Sequence, residues 1–471
     1  MRGVRQGAPL SMPFYQISFN DLIVDLRYSN AGIVINGINA TSPAHADDLA
    51  LVAPYRLAMN KLLSIAYKHS IVWFYDFGIT KCFSIEWGDF SQGERQIPIK
   101  LGPHSISIVS QTKHMGLMLT NNAKECHDTY LKRISDMKSV VFAGRALGSQ
   151  LVPVVPSVMN RIYNSVAVPR GLYGFEVVPI NYSGLQEMEK AQKMFAKVIQ
   201  GLPNNCPSVS VLATMGWLTI ESRIAILKLV FLWRILCLPL DSIYRRVLLH
   251  FLQAGLSNDN YFNANSPTCS MLIYVRKFNL VDILQQCMFS DNSSQFQYYK
   301  SLIKRIVIET EINRWKVTSM FFYEIPLFTH CIKNIELCIW WKFVKNVPSI
   351  FKQVSSVVAV VSGTQPKQFQ CNFNEYYCRL CTIFSRDTAE HILFECTALN
   401  DIRNMYFSKL KFVMPFAMKR ELMNMNNREK LYFLLSGLES EFCTEWISIY
   451  RAIAIFVHEM YRRRKRIYCA P

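Results

Sequence analysis

The sequence predicts an α+β protein in which a mixed N-terminal region precedes a mainly helical body. Over residues 1–120 short β-like runs alternate with helical patterns, whereas helical periodicity dominates the remainder. The chain has 471 residues, of which 51% are hydrophobic and 18% are charged. This composition suits a chain that buries at least one large core, and it excludes disordered and low-complexity classes.

The chain is strongly basic. It has 52 Lys and Arg against 34 Asp and Glu, which gives a net charge of +18. This excess points to a polyanionic partner, with nucleic acid as the first candidate and an anionic membrane surface as the second. Charges or prolines interrupt every long apolar stretch and no signal-peptide pattern is present, so we expect neither membrane insertion nor secretion. The 14 cysteines are too sparse for a disulfide scaffold, which favours a reducing nuclear or cytoplasmic location.

Periodicity predicts the main elements in order. Apolar residues recur at helical spacing over 56–73, and again over 132–147, 185–199 and 222–236. Turns that carry Pro or Gly separate these segments. A β-branched run followed by Ser-Gly-Thr-Gln-Pro predicts a linker or short strand over 354–367.

Two adjacent carboxylates stand between β-rich runs. Ile-Val-Ile-Asn-Gly-Ile at 33–38 precedes Pro-Ala-His-Ala-Asp-Asp-Leu at 43–49, which predicts strand, turn and strand. Asp47 and Asp48 repel each other in apolar surroundings unless a cation neutralises them, and Mg²⁺ prefers carboxylate oxygens. A solvated pair in a turn is the commoner case for an isolated Asp-Asp, so the neighbouring motifs decide between the two.

Those motifs follow a recognisable order. Gly-Val-Arg-Gln-Gly-Ala-Pro-Leu-Ser at 3–11 leads into a helix near 20–26, Gly-Ile-Thr-Lys ends at Lys81, and Lys-His-Met-Gly occupies 113–116. Together with Ala46-Asp47-Asp48, the series resembles the palm of reverse transcriptases of non-LTR (LINE-like) retrotransposons over residues 2–120. The resemblance implies a partial polymerase palm, built as a small antiparallel sheet with helices.

The resemblance also implies site residues for RNA-directed DNA synthesis, with an RNA template, a DNA primer or target, and deoxynucleotides as partners. Asp47 is implied as the main Mg²⁺ ligand with Asp48 in support, and Lys81 as the proton donor to the leaving pyrophosphate. The other implied positions contact the nucleotide and template (Gln6, Gly7, and His45 in place of the family's Tyr or Phe) or form the primer grip (Lys113, His114, Met115, Gly116).

The family has a further catalytic Asp and a fingers region upstream of the first motif. We therefore expect residues 1–471 alone not to synthesise DNA, because one anchor of the two-metal site is missing. The alternative is a non-catalytic nucleic-acid-binding protein derived from a retroelement.

The remaining chain divides by the same resemblance. Val-Pro-Arg-Gly-Leu-Tyr-Gly-Phe at 168–175 and Leu-Ala-Thr-Met-Gly-Trp-Leu at 212–218 resemble the stretch that follows the palm. The implied segments are the palm (1–120), a helical thumb-like region (121–255), a helical connector (256–370), a CCHC zinc knuckle (371–400) and a helical basic C-terminal region (401–471).

A zinc-type spacing lies near the C-terminus. Cys378, Cys381, His391 and Cys396 form C-x2-C-x9-H-x4-C, and two close pairs joined by a short loop can wrap one tetrahedral Zn²⁺. Thr-Ala-Glu-His-Ile-Leu at 388–393 predicts a short helix that presents His391. The alternative is a surface Cys-x-x-Cys with an unrelated helical His. A similar CCHC element follows the polymerase in many LINE-like elements, where it could grip nucleic acid or close a small domain.

The C-terminus carries a run of cations, Arg462, Arg463, Arg464, Lys465 and Arg466. The run suits a phosphate-binding arm or a nuclear localisation signal, or equally a solvated helix end. Aromatic residues between 300 and 345 suit base stacking or, more commonly, a helical core. They are Trp315, Phe321, Phe322, Trp340 and Trp341.

Overall fold

A computed structural model describes residues 9–46, 48–121, 123–146, 154–179, 181–257, 266–292, 294–320, 332, 334–365, 377–381, 385–437 and 444–468. The described residues are mostly helical and carry five two-stranded sheets, which agrees with an α+β class. The chain divides into two compact units. The first comprises Met1–Thr129, Arg234–Ile273 and Val281–Phe296, and the second comprises Tyr130–Trp233, Tyr274–Leu280 and Gln297–Pro471. Within the described ranges, no helix is long and apolar enough to cross a membrane.

The N-terminal region alternates helices with very short strands. In order, the elements are α1 (Ser11–Tyr28), β1 (Val34–Ile35), β2 (Ile38–Asn39), β3 (Ala44–His45), β4 (Asp48–Leu49), α2 (Arg56–Trp73), β5 (Phe83–Ser84), α3 (Gln92–Gln96), β6 (Lys100–Leu101), β7 (His104–Ser105), β8 (Ser107–Ile108), β9 (Gln111–His114) and β10 (Leu117–Thr120). The helix predicted near 20–26 is therefore longer, and the helix predicted over 56–73 is confirmed.

Helices α1 and α2 build the core of the first unit. Leu22 and Leu26 of α1 are fully buried, as is Leu62 of α2, because each helix turns its apolar stripe toward the other. The buried guanidinium of Arg56 opens α2 and donates to both oxygens of Glu86, at 2.6 and 2.9 Å. This bidentate pair fixes the start of α2 to the chain that follows it.

The strands pair as hairpins rather than as one sheet. β1–β2, β3–β4, β6–β7 and β9–β10 are antiparallel pairs, and β5 pairs with β8 in parallel. The expected single small antiparallel sheet is therefore absent from the described residues, because strands of two to four residues each complete their few ladder bonds with one neighbour. The run at 33–38, predicted as one strand, turns back at Asn36-Gly37, where both φ values are positive, as a tight hairpin requires.

The part of the chain after β10 that the structure describes is mainly helical, as predicted. Its helices are α4 (Ala123–Ala146), α5 (Pro156–Ile162), α6 (Val168–Leu172), α7 (Tyr182–Gln200), α8 (Ser208–Thr214), α9 (Ile220–Leu236), α10 (Ile243–Ser257), α11 (Pro267–Lys277), α12 (Val281–Phe289), α13 (Phe296–Met320), α14 (Ile339–Val344), α15 (Phe351–Val361), α16 (Asn400–Val413), α17 (Phe416–Asn424), α18 (Asn427–Leu435) and α19 (Thr444–Tyr468).

The prediction of a linker or strand over 354–367 is wrong for its described part. Residues 354–361 belong to helix α15, which packs against α19. Val354, Val357, Val358 and Val361 stand at i, i+3, i+4 and i+7 and are fully buried. Burial of this stripe outweighs the small helix penalty of β-branched side chains. Residues 366 and 367 lie outside the described ranges.

Tryptophans fill the core of the second unit. Trp340 and Trp341 are fully buried, and Trp315 is nearly so. The indole N–H of Trp341 donates to the side-chain oxygen of Gln200 at 2.8 Å, and the Thr214 hydroxyl donates to the same oxygen at 2.7 Å. These three tryptophans therefore belong to the core and not to a base-stacking surface. Phe321 and Phe322 lie outside the described residues.

Candidate functional site

The structure brings the four predicted zinc ligands together. The ligand atoms of Cys378, Cys381, His391 and Cys396 all lie within 4.8 Å of one another, an arrangement that could hold a metal ion. Cys378, His391 and Cys396 are buried, and Cys381 is half-buried. Cys378 and Cys396, 18 positions apart in the sequence, thus meet at one point, as the spacing predicted.

The distances suit a tetrahedral zinc. Two thiolates, each about 2.3 Å from one zinc at the tetrahedral angle, lie about 3.8 Å apart. The Sγ atoms of Cys378 and Cys396 are 3.9 Å apart, and Cys381 Sγ is 3.4 Å from His391 Nε2. A disulfide requires sulfurs at about 2.05 Å, so the cysteines are free thiols at metal-ligand separation.

Local backbone structure presents these ligands. Tyr377 and Arg386 form an isolated antiparallel bridge, and the Cys378 N–H donates to the Ser385 carbonyl at 2.9 Å. The predicted helix is present from residue 389 and becomes a π-helix at His391–Glu395, which ends directly before Cys396. The wider π turn, common at functional sites, places His391 and Cys396 on the same side.

A carboxylate contacts the ring nitrogen of His391 that faces away from the thiols. Glu395 Oε2 lies 3.4 Å from His391 Nδ1, on the ring edge opposite the Nε2 that faces Cys381. A proton on Nδ1 then donates to Glu395 and leaves the Nε2 lone pair for a metal. This carboxylate–histidine–metal relay is common in zinc sites, where it fixes the tautomer and the ring orientation.

The electrostatics of the thiols favour their neutral form when no metal is bound. Burial, together with the neighbouring Cys378, raises the pKa of Cys396 to about 12. Burial also raises the pKa of Cys378. A divalent cation that binds here must therefore displace protons, as thiolate sites generally require.

A buried arginine secures the backbone around the cluster. Arg403 donates from Nε to the Leu393 carbonyl at 2.9 Å and from Nη2 to the Cys396 carbonyl at 2.6 Å. These bonds satisfy carbonyls left open at the end of the π-helix. Arg403 also brings a positive charge to a site that three thiolates would make negative.

Helix α19 closes over the cluster through the predicted basic run. Arg464 is 3% exposed and forms an ion pair with Asp387, which is 9% exposed. The Tyr468 hydroxyl accepts from the Arg379 N–H, between Cys378 and Cys381, at 3.2 Å. Part of the cationic run is therefore engaged in packing onto the Cys/His cluster.

The other cations of the run are more accessible. Arg462 is exposed and pairs with Glu459 at 3.0 Å, and Arg463 is half-buried and pairs with Asp401 at 3.4 Å. Lys465 is half-buried and Arg466 is exposed. A nucleic-acid contact by these side chains stays a prediction.

The predicted aspartate turn coincides with a hairpin. Strands β3 and β4 pair His45 with Asp48, so only two sequence positions separate the paired residues. Ala46, the first of them, has a φ of +54°. His45 and Asp48 are exposed, whereas Asp47 lies outside the described residues. Gln6 and Gly7 also lie outside them.

The two downstream motifs occupy exposed turns of the same unit. Lys81 is exposed and ends a short 3-10 helix, Ile79–Lys81. Lys113 and His114 end β9, and Met115-Gly116 forms the turn into β10 with positive φ at both residues. The motifs therefore lie on accessible backbone, and their predicted catalytic roles remain predictions.

Three supporting residues were not anticipated from the sequence. They are Glu395, Arg403 and Asp387. Only Glu395 had a sequence signal, since His391 and Glu395 are four residues apart and therefore share one helix face. Arg403 acts by binding backbone carbonyls, and Asp387 acts by pairing with Arg464 of α19. The spacing of residues in the sequence indicates neither contact.

A scan against models of protein families finds no match to this chain, and a search of curated proteins finds none either.

Proposed function

We propose that this chain serves RNA-directed DNA synthesis as part of a reverse transcriptase of the non-LTR retrotransposon class. In this proposal it binds the RNA template and DNA primer and supplies two carboxylates to the catalytic metal site. The observation that supports the proposal is the β3–β4 hairpin, in which His45 pairs with Asp48, two positions after Ala46, and Asp48 is accessible to solvent.

Mg²⁺ fits the donors that the motif offers. Carboxylate oxygens are its preferred protein ligands, and Asp48 is exposed enough to share an ion with substrate phosphates. Asp47 and Asp48 would hold the ion, which when bound stabilises the attacking and leaving oxygens of phosphoryl transfer. Lys81 is the proposed proton donor to pyrophosphate, and Lys113 to Gly116 the proposed contact with the primer.

The Cys/His cluster supports a second part of the proposal, that the chain binds one zinc ion. Four sulfur and nitrogen donors at tetrahedral separations, with a carboxylate behind the histidine, match a closed structural zinc site. We propose that zinc holds the segment around the cluster in the fold, since three of its four ligands are buried.

The test uses a fluorescent RNA–DNA primer–template hybrid as the probe. We expect the purified, zinc-loaded chain to bind the hybrid in EGTA-free buffer, and Mg²⁺ with the complementary deoxynucleotide to tighten the complex. Asp47→Asn should abolish that gain while leaving the metal-independent affinity unchanged. Asp89→Asn, at an exposed aspartate of the first unit, is the control and should keep the gain.

Other outcomes separate the candidates. Primer extension that depends on Asp47 would assign the full catalytic activity to this chain. Binding that neither Mg²⁺ nor Asp47→Asn alters would favour the non-catalytic nucleic-acid-binding protein instead. A chain that binds neither hybrid nor single strand would contradict both.

A further inference from the structure

Two phenylalanines stand almost fully in solvent at the corner between helices α16 and α17. Phe412 is 85% exposed and Phe416 is 81% exposed, the highest values for any phenylalanine that the structure describes. Phe412 is the penultimate residue of α16 and Phe416 the first residue of α17. Phenylalanine side chains are large apolar groups that contribute strongly to an interface when a partner covers them.

The corner is built so that these rings face outward. Leu410 and Leu422 are fully buried, and Met414, between the two phenylalanines, is 3% exposed. The Met414 N–H donates to the Lys411 carbonyl, and the Lys419 N–H to the Pro415 carbonyl, so the connection is closed by backbone hydrogen bonds. Apolar side chains thus anchor the corner from within while Phe412 and Phe416 remain outside.

Cations flank the two phenylalanines in the sequence. Lys409, Lys411, Lys419 and Arg420 lie within four residues of one phenylalanine or the other. Lys409 Nζ is 4.9 Å from the centre of the Tyr406 ring, and Lys411 Nζ is 4.9 Å from that of Phe407. Within the part of the chain that the structure describes, no carboxylate forms an ion pair with these four side chains.

Helix α16 is a rigid support for this surface. Its Phe407 ring packs on Phe456 of α19 with centroids 5.7 Å apart. Arg403, one turn earlier on α16, binds the carbonyls of Leu393 and Cys396 beside the Cys/His cluster. The surface is therefore preorganised, which reduces the entropy lost on binding.

We propose that the α16–α17 corner binds single-stranded nucleic acid, with bases stacked on Phe412 and Phe416 and phosphates held by the four cations that flank these residues in the sequence. The inference rests on the proposed function and adds the strand type and the contacts. Exposed aromatic rings with cations nearby in the sequence complement the two parts that a single strand offers, its unpaired bases and its phosphates. A duplex offers only its phosphates, because its bases are already stacked. A second copy of this chain, with its net charge of +18, would bring like charge to the corner.

The test compares matched variants of the full zinc-loaded chain by fluorescence anisotropy, with a labelled oligo-dT 20-mer and a duplex of equal length. Phe412→Ala/Phe416→Ala should weaken single-strand binding by about tenfold or more and duplex binding by less than about twofold, since each stacked base contributes appreciably. Phe289→Ala, at a phenylalanine that is 76% exposed elsewhere, should change neither.

A second pair of variants tests the charges. Lys419→Gln/Arg420→Gln removes an adjacent Lys-Arg pair at the corner, and Lys304→Gln/Arg305→Gln removes another such pair from α13. We expect only the first to reduce the salt dependence of single-strand binding, by about 1.4 in the slope of log K against log salt.

Stacking also has a direct signature. Phe412→Trp should retain affinity, and its fluorescence should be quenched when the single strand binds. Phe412→Leu/Phe416→Leu keeps apolar area without a π face and should bind as weakly as the double alanine variant. Full affinity in the leucine variant, or equal losses for single strand and duplex, would overturn the proposal.

The outcomes distinguish this inference from the proposed function. Single-strand binding that both phenylalanine variants leave unchanged would refute the corner while the hybrid-binding proposal stands. If the phenylalanine variants keep their single-strand affinity but lose liposome binding, the corner binds a membrane. If they keep that affinity but have a lower oligomer mass, the corner binds a second copy. A chain that binds no nucleic acid would refute both proposals.

Discussion

Glu395 gives the Cys/His cluster its clearest sign of a metal site. A buried imidazole with thiols on one edge and a carboxylate on the other has a fixed orientation and tautomer. Its neighbour Glu390, one residue before His391, makes no such contact among the described hydrogen bonds. The two glutamates therefore form a matched pair for testing what the carboxylate on His391 Nδ1 contributes to metal binding.

Glu395→Gln should weaken zinc binding by about 10–100-fold, the usual loss when a partner of a ligating histidine is removed. Competition with a chromophoric chelator measures the affinity. Glu390→Gln, which leaves His391 and its Nδ1 contact intact, should retain the affinity of the unmodified chain. Equal affinities in all three proteins would show that Glu395 does not support the ligand.

Cys378→Ser should remove the bound zinc and lower the thermal midpoint, because a closed structural site contributes its binding free energy to folding. Mass spectrometry under native conditions gives the zinc content. Cys287→Ser, at a buried cysteine of the first unit, is the control and should keep one zinc per chain. One zinc in the Cys378 variant would contradict the assignment.

His458 predicts a pH dependence of folding. Burial first, and then the charges of Arg462 and Lys352, lower the pKa of His458 to about 4, and its Nδ1 lies 2.9 Å from the Ser356 hydroxyl. In the unfolded chain the pKa is about 6.5. Between these values the unfolded state binds more protons, so the free energy of unfolding should fall as the pH drops from about 6.5 to about 4.

Urea unfolding at several pH values between 4 and 7 measures this effect. His458→Gln should reduce the fall in the free energy of unfolding at low pH. His104→Gln, at an exposed histidine of β7, should leave that fall unchanged. The same slope in the chain and in the His458 variant would rule out a contribution from this imidazole. Above pH 7 the group should contribute no further change.

Helix α19 shows how an element can carry a different role from the one its sequence suggests. Five adjacent cations suit a phosphate-binding arm, a nuclear localisation signal or a solvated helix end, yet Arg464 lies buried against Asp387. Helical rotation turns one residue in the run inward, and a run of like residues gives no indication of which one. The carboxylate partner lies 77 residues away, beyond the reach of any local pattern.

Arg464→Leu should destabilise the second unit by about 3–5 kcal/mol, because it leaves the Asp387 carboxylate buried without its partner. Chemical unfolding monitored by tryptophan fluorescence measures the loss. Arg466→Leu, two residues later and exposed, should change the stability by less than about 0.5 kcal/mol. Comparable losses in both variants would mean that the ion pair with Asp387 is not what holds α19.

Helix α15 marks the limit of prediction at this scale. The helix over 56–73 was predictable to its ends because a clear apolar stripe repeats within it. In α15 the second half, 357–361, is an uninterrupted apolar run, so over that stretch periodicity could not separate helix from strand, and β-branched composition favoured the wrong choice. Packing against α19, which is distant in sequence, determined the outcome.

At the scale of the whole molecule, the two compact units each combine segments that are distant in sequence. Local periodicity does not indicate contacts between segments that are distant in sequence. A division of the chain into five consecutive segments therefore cannot predict these two units. The four zinc ligands were predictable because they lie within 19 residues. The five functional segments and their polymerase roles stay predictions.

Asp47 and Asp48 are proposed to hold a divalent metal at the primer terminus, and iron-directed cleavage tests this proposal most directly. Fe²⁺ in place of Mg²⁺, with ascorbate and peroxide, cleaves backbone close to where it binds. With the primer–template hybrid bound, we predict cuts near residues 45–49 and at the 3′ end of the primer. Excess Mg²⁺ and Asp47→Asn should suppress them, and Asp89→Asn should not. Cleavage that Asp47→Asn leaves unchanged, or no cleavage at either place, would contradict a metal site at these two aspartates.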